Sequence, residues 1–314
     1  MLSVQNLSVM FTMYDRGLAQ KQLTVITDLD LTVQAGQVVA VVGASGSGKS
    51  LLAHAVLGIL PTNAQTNGTI LFKGTPLTPQ RSQALRGKEI ALIPQSIGYL
   101  DPLMQVGKQV SRVGQVNGLS KQQARRAVDR TFERYNLAAE VKQYYPFQIS
   151  GGMARRVLVS TAVISQADLV IADEPTPGLH PDVVYETLNH LRELADEGKA
   201  VILITHDIEA ALQAADQVAV FYAGTTVEIA AVSDFSNGKI RHPYTQALWR
   251  SLPQNEFVPV PGSQPSPDAL PAGCLFSDRC PWVTEACRIA RPPFHQVEGG
   301  LVRCIHAEEH YVSW

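Results

Sequence analysis

Three short stretches of this sequence carry residues suited to phosphate chemistry. The first is Gly43-Ala44-Ser45-Gly46-Ser47-Gly48-Lys49-Ser50, which fits G-x-x-x-x-G-K-[ST]. An apolar run, Val38 to Val42, precedes it, and a helix-forming segment from Leu51 follows. Glycines let backbone N–H groups wrap phosphate oxygens, and a helix N-terminus adds a favourable dipole. Lys49 is then placed to reach the terminal phosphates and Ser50 to bind Mg²⁺. The plainer alternative is a glycine-rich strand–helix turn, which leaves the Lys-Ser ending unexplained. The second stretch is Leu169-Val170-Ile171-Ala172-Asp173-Glu174, an apolar strand ending in two carboxylates. Asp173 suits Mg²⁺ binding and Glu174 suits activation of an attacking water, although acidic pairs at strand ends are common. The third, Ile149-Ser150-Gly151-Gly152-Met153, opens a helix running to about Ile164. Ser150 and the amides of Gly151 and Gly152 present a second anion-binding helix N-terminus or, more simply, a helix cap.

The elements that must position these residues are legible as pattern. Val38 to Val42, Leu169 to Ala172 and Val201 to Ile204 are continuous apolar runs of the kind found in buried strands. Val25, Leu29, Leu31 and Val33 suit a half-buried strand, and Asp182 to Ala195 an amphipathic helix. Buried strands alternating with helices predict an α/β fold with a parallel sheet. Residues 106 to 165 are helix-like throughout, and Ser120 with Gln123 forms a capping-box start for a helix to about Tyr135. This segment reads as a helical insert. Six prolines between Pro253 and Gly273 mark an extended linker.

Composition narrows the function classes. The 314 residues are 45% apolar and 17% charged, which suits a large core and excludes wholesale disorder. Lys plus Arg number 26 against 28 Asp plus Glu, so there is no basic footprint for nucleic acid. No run approaches the roughly 18 apolar residues of a membrane span. The start, MLSVQNLSV, lacks signal-peptide character, so a cytosolic setting is expected.

In this order and spacing the motifs, together with Gln95 after the strand-like Ile90 to Ile93 and His206 after Val201 to Ile204, closely resemble the ABC ATPase family over about residues 2 to 230. The resemblance implies a P-loop ABC cassette that binds ATP and Mg²⁺. It also implies that the Ser150-Gly151-Gly152 helix of one subunit completes the ATP site of another. Gln95 would sense the γ-phosphate and Mg²⁺, the stretch from Gln95 to Gly107 would receive a membrane subunit, and His206 would contact the γ-phosphate. An aromatic near the N-terminus would stack on adenine, with Phe11 ahead of Tyr14; either equally suits core packing. The sequence departs from the family twice. Met153 stands where LSGGQ has Gln, a change familiar in the peptide and nickel branch. His180, in Pro177-Gly178-Leu179-His180, stands where the family usually has an Asp that links the two ATP sites. That predicts pairing with a second, non-identical ATPase subunit.

Arg241-His242-Pro243-Tyr244-Thr245, Ala247-Leu248-Trp249 and Gly273-Cys274 resemble the C-terminal extension of oligopeptide, dipeptide and nickel importer ATPases. The expected division is a cassette over 1–240, with its helical subdomain at about 96–165, and an extension over 241–314. All four cysteines, Cys274, Cys280, Cys287 and Cys304, lie in that extension, spaced C-x5-C, C-x6-C and C-x16-C. These spacings are wider than common zinc pairs or iron–sulfur runs and decide nothing alone. The resemblance points to a [4Fe–4S] cluster, with zinc or reduced packing cysteines as the alternatives. The implied partners are two transmembrane permease subunits and, indirectly, an extracytoplasmic substrate-binding protein. The expected place is the cytoplasmic face of the membrane, and the expected cargo is peptides, nickel or metal chelates. Two rival readings are a soluble ABC-type ATPase of DNA repair or translation and a regulatory iron–sulfur protein that keeps the fold.

Overall fold

The computed structural model describes residues 1–14 and 19–308. The chain divides into two compact units, each assembled from separated stretches.

One unit comprises Met1, Val33–Val38 and Thr78–Thr205. Its centre is three parallel strands, Ile90–Ile93, Leu169–Asp173 and Ala200–Ile204, with Ile93 opposite Ala172 and Asp173 opposite Ile204. Every residue of the last two strands is buried, as their unbroken apolar composition requires when both faces are covered. The helix Pro181–Asp196 turns Leu188, Leu191 and Leu194 inward, on the face read from the sequence. The helical insert contains Val106–Val116, Lys121–Arg134 and Gly151–Ile164. Its middle helix starts with the expected capping box: Ser120 Oγ accepts from the Gln123 amide, and the Gln123 side chain accepts from the Ser120 amide.

The other unit comprises Leu2–Thr32, Val39–Leu77 and the chain from His206 onward. A four-stranded sheet orders its strands as Gln20–Val33, Leu2–Tyr14, Ala64–Phe72 and Thr75–Pro76. Only the first of these was legible as a strand. Ala64–Phe72 begins with exposed Gln65, Thr66 and Asn67, so its apolar signal is confined to the last three residues. The strand Val38–Val42 runs parallel to Gln217–Tyr222, which pairs antiparallel with Thr225–Ala231. The C-terminal extension continues this sheet: Gly300–Val302 pairs with Thr225–Ala231, and His295–Val297 pairs with Gly300–Val302.

A buried polar anchor fastens the extension. Arg241 is 0% exposed and donates to the carbonyls of Val297 and Glu298, both at 2.7 Å, and to Asp234 at 2.8 Å. The buried Glu228 carboxylate accepts from the amides of Arg241 and His242, each at 2.9 Å. Burial pushes the Glu228 carboxyl up, opposed by those donors. A Cβ on Gly300 would lie 2.6 Å from the Arg241 guanidinium, so a side chain there would have to displace the anchoring group. Arg303 adds a second fastening, donating to the Asp28 carbonyl at 2.8 Å and the Asp30 carboxylate at 2.9 Å.

Candidate nucleotide site

The phosphate loop leaves the buried strand Val38–Val42 and enters the helix Lys49–Leu57, which begins two residues earlier than the sequence suggested. At Gly43 a Cβ would lie 2.2 Å from the Phe221 carbonyl oxygen of the neighbouring strand, so the turn out of the sheet requires glycine. Gly48 caps the helix in the left-handed region, φ 93°, and supplies no side-chain acceptor. The helix start therefore carries no capping side chain that would compete with an external anion. Lys49 is buried and donates from Nζ to the carbonyls of Gly43 at 2.8 Å and Ala44 at 3.0 Å, which holds its ammonium over the loop. Ser47 is fully buried, yet its Oγ has no partner within the described residues. An orphaned hydroxyl, a left-handed glycine cap and a folded-over ammonium together fit a polyphosphate chain with its cation. Ala44, Ser45 and Gly46 are exposed, and Ser50 opens the first turn.

In the other unit, Asp173 ends its strand and Glu174 follows, both nearly buried. Glu174 holds φ 46°, a left-handed conformation unusual for a residue with a side chain, and donates its amide to the Ile204 carbonyl at 2.8 Å. Strain of this kind, held by a strand-to-strand bond, is characteristic of working positions. Gln95 is exposed two residues past the adjacent strand, so it leaves the same end of the sheet as Asp173. Buried Arg155, which the sequence reading missed, donates to the Pro94 carbonyl at 2.8 Å and so braces the residue before Gln95. Its signal was an arginine on the apolar face of the helix that Ser150 opens. Ser150 Oγ accepts from the Met153 amide at 3.3 Å, as a cap. A Cβ on Gly151 would meet nothing within 4 Å, so packing within the chain does not demand glycine there. His180 caps Pro181–Asp196 without a side-chain bond and lies 3.3 Å from Asp182, both exposed.

In the unit with the phosphate loop, His206 is exposed just ahead of the helix Ile208–Ala214. Phe11 is half-buried opposite Ala64, whereas Tyr14 is 69% exposed at the strand end. The four cysteines, all unpaired by disulfide, line one small pocket with Phe276 and His242. Burial pushes the thiols of Cys274 up to about 11 and Cys304 up to about 12, and raises that of Cys280. Among the described residues, no group of three or more His, Cys, Asp or Glu is arranged to hold a metal ion. No described helix is long and apolar enough to cross a membrane.

Comparison with known proteins fits this geometry. Residues 26–177 match the ABC transporter family, and residues 227–287 match the family described as oligopeptide/dipeptide transporter, C-terminal region. The oligopeptide transport ATP-binding protein OppD of Salmonella typhimurium is 35% identical, across 96% of this chain and 92% of its own. The dipeptide transport ATP-binding protein DppD of Haemophilus influenzae is 34% identical, across 97% and 94%. Among solved structures, the ATP-binding cassette MJ0796, seen as a dimer bound to ADP and Pi, superposes with a TM-score of 0.64 at 23% identity, covering 74% of this chain and 99% of its own. The cassette cbiO1 of Clostridium perfringens gives 0.61 at 27% identity, over 74% and 89%. The chain belongs to the ABC transporter ATP-binding family: it is an ATPase with the P-loop ABC cassette fold, a helical insert and a cysteine-bearing C-terminal extension of the oligopeptide/dipeptide type.

Proposed function

We propose that this chain is the ATP-hydrolysing subunit of an importer that takes up peptides, with nickel or metal chelates as the rival cargo. The observation that carries the reading is the phosphate loop, with its unsatisfied Ser47 hydroxyl and Lys49 held over it. The names of the relatives, which are oligopeptide and dipeptide transport proteins, favour peptide. The cassette occupies residues 1–240, with its helical subdomain at about 96–165, and the extension occupies 241–314, of which 309–314 lie outside the described residues.

Gly43 to Ser50 wrap the ATP phosphates, and Lys49 neutralises the charge that builds on them. Ser50, Asp173 and Gln95 hold Mg²⁺. Glu174, fixed by its strained backbone, takes the proton from the attacking water, and His206 contacts the γ-phosphate. Phe11 stacks on adenine, with exposed Tyr14 as the alternative. Ser150, Gly151 and Gly152 serve the ATP of a partner cassette, which accords with the open space over Gly151. His180 in place of Asp favours a non-identical partner. Two transmembrane permease subunits receive the motion at the stretch Gln95 to Gly107, where Ile97, Tyr99 and Leu103 expose apolar surface. An extracytoplasmic binding protein delivers the cargo, and the chain works at the cytoplasmic face of the membrane.

The four cysteines sharing one pocket offer an all-thiolate donor set suited to a [4Fe–4S] cluster. Tetrahedral zinc is the alternative occupant of the same cysteines; among the described residues no group of three or more His, Cys, Asp or Glu is arranged to hold a metal ion of either kind. Bound there, the cluster would supply redox chemistry or rigidity.

The test is uptake of labelled dipeptide beside labelled nickel in cells lacking the gene. Loss of dipeptide uptake, restored by the wild-type gene but not by Glu174→Gln, is the expected result. Unchanged uptake of both would remove the importer reading.

A further inference from the structure

The helical insert carries a cavity that the nucleotide chemistry does not use. Its volume is about 560 Å³, and it lies where three elements meet: the helices Val106–Val116 and Lys121–Arg134 and the short turn Ala139–Gln143. Four cations line it, Lys108, Lys121, Arg125 and Lys142, against one carboxylate, Asp129. The frame beneath them is fixed. The Val106 amide donates to the Tyr144 carbonyl at 2.9 Å, and a Cβ on Gly107 would lie 2.7 Å from the Lys142 carbonyl oxygen. The start of the first helix is therefore pressed against the turn. Ser111 and Val128 are buried at the base of the cavity, and Gln115 donates to the Ser111 hydroxyl at 3.2 Å. Backbone contact and buried packing shape the cavity, while Lys108, Lys121 and Arg125 are exposed side chains able to close on a guest.

The charge around this cavity is not balanced within the chain. Its one carboxylate is already taken, because Lys142 Nζ bonds to Asp129 Oδ1. Among the described residues, the side chains of Lys108, Lys121 and Arg125 have no ion-pair partner. Lys121 and Arg125 are moreover like charges at i and i+4, an arrangement that works against the helix they begin. The chain as a whole has a formal net charge of -2, so this local excess does not follow from a basic composition. Like charges gathered at a fixed concavity repel one another, and an anion placed among them replaces that repulsion with attraction.

We propose that this cavity is a binding site for a small anion carrying two phosphates. Unpaired positive charges on Lys108, Lys121 and Arg125 match the charge of a bisphosphate better than that of a single phosphate ester or a carboxylate. The two lysines act as point charges, and Arg125 offers a planar fork that takes two phosphate oxygens at once. The volume is in the range of small-ligand sites. No lining residue belongs to the phosphate loop, and only Gly107 also falls in the stretch given to the permease, so the proposal stands apart from the nucleotide reading. Two sources present this chemistry, a free bisphosphate metabolite and a lipid headgroup with paired phosphates, and the experiment separates them.

The full chain, with MgADP present to fill the phosphate loop, is treated with an amine-acylating reagent, and modification is read lysine by lysine by mass spectrometry. Fructose bisphosphate represents the free anion. Cardiolipin vesicles represent the headgroup, with phosphatidylcholine vesicles as the neutral control. The bisphosphate is expected to slow acylation of Lys108 and Lys121 several-fold and to leave Lys88, exposed outside the cavity, unchanged. Protection by fructose bisphosphate identifies a free anion, and protection by cardiolipin vesicles alone identifies a headgroup. Lys108→Gln combined with Arg125→Gln alters only exposed side chains, so the fold is kept. That variant should bind the protecting ligand about 10-fold more weakly, the worth of two exposed charge contacts. Arg125→Lys alone should retain most of the affinity, and added salt should weaken binding to the wild type. Acylation of Lys108 and Lys121 unaltered by both ligands, protection shared equally by Lys88, or a double variant that binds as tightly as wild type would overturn the proposal.

Discussion

The phosphate loop and the anchor of the C-terminal extension solve opposite problems. The loop is made of backbone. Its working parts are amide groups, a left-handed glycine and one lysine, all within eight consecutive residues, Gly43 to Ser50. The anchor is made of side chains that meet only after folding: Arg241 bonds to carbonyls more than fifty residues away, at Val297 and Glu298. The loop leaves polar groups unsatisfied within the chain, as at Ser47, whereas the anchor encloses Glu228 and Arg241 and satisfies them with several partners. Orphaned groups in the one suit a ligand that comes and goes. Satisfied groups in the other suit permanent attachment.

The largest effect separates the two regions by function. Lys49→Ala removes the loop's cation and is expected to lower ATP turnover by about 10²–10³-fold, typical for loss of a donor to developing charge. Thermal stability should change little. Arg241→Met should do the reverse. Breaking a buried ion pair from one side costs about 3–5 kcal/mol, so a marked fall in Tm is expected. Adding Glu228→Gln to it should recover part of the loss, because the stranded carboxylate is then gone. A double variant no more stable than the single one would show that the anchor's worth is not electrostatic.

Beside the anchor, a pH experiment sharpens the contrast. Burial lowers His242 from its ordinary 6.5 to about 3. A depressed folded value means that its contribution to stability is present above pH 6.5. That contribution is lost as pH falls toward 3, because the unfolded state takes up the proton first. Glu228 runs the other way. Its raised folded value gives a contribution present below its ordinary 4.5 and lost as pH rises above it. His242→Asn retains a side-chain acceptor for the helix start and should flatten the acid slope of Tm between pH 6.5 and 3. An unchanged slope would reassign acid sensitivity to other groups.

The smallest effect falls on the loop's orphaned hydroxyl. Ser47→Ala removes a buried unsatisfied group and is expected to raise stability by about 1 kcal/mol while weakening nucleotide binding, as calorimetry would read. Lower stability would mean that the hydroxyl has a partner in the folded chain.

This contrast also explains what the sequence could and could not disclose. Val38–Val42, Leu169–Asp173 and Ala200–Ile204 announce themselves because burial on both faces demands unbroken apolar runs. The Ser120 capping box is legible because both its bonds span three residues. Leu2–Tyr14 and Ala64–Phe72 were missed because pairing between distant antiparallel strands leaves no local signature. The early start of Lys49–Leu57 depends on Gly48 adopting a left-handed cap, which a motif pattern does not report. Arg155 beneath Pro94 acts across a long stretch of chain, so nothing in its neighbours' identity pointed to it. The cysteines were visible as a set confined to the extension, and the resemblance implied that they meet; their wide spacings alone did not place them in one pocket.

The most direct test of the central claim is Glu174→Gln in the assembled transporter, with MgATP binding and steady-state hydrolysis measured on the same preparation. Binding as tight as wild type, with turnover lowered by about 10²–10⁴-fold, is the expected result. Turnover near the wild-type rate would contradict the assignment of Glu174 as the base, and with it the account of the site.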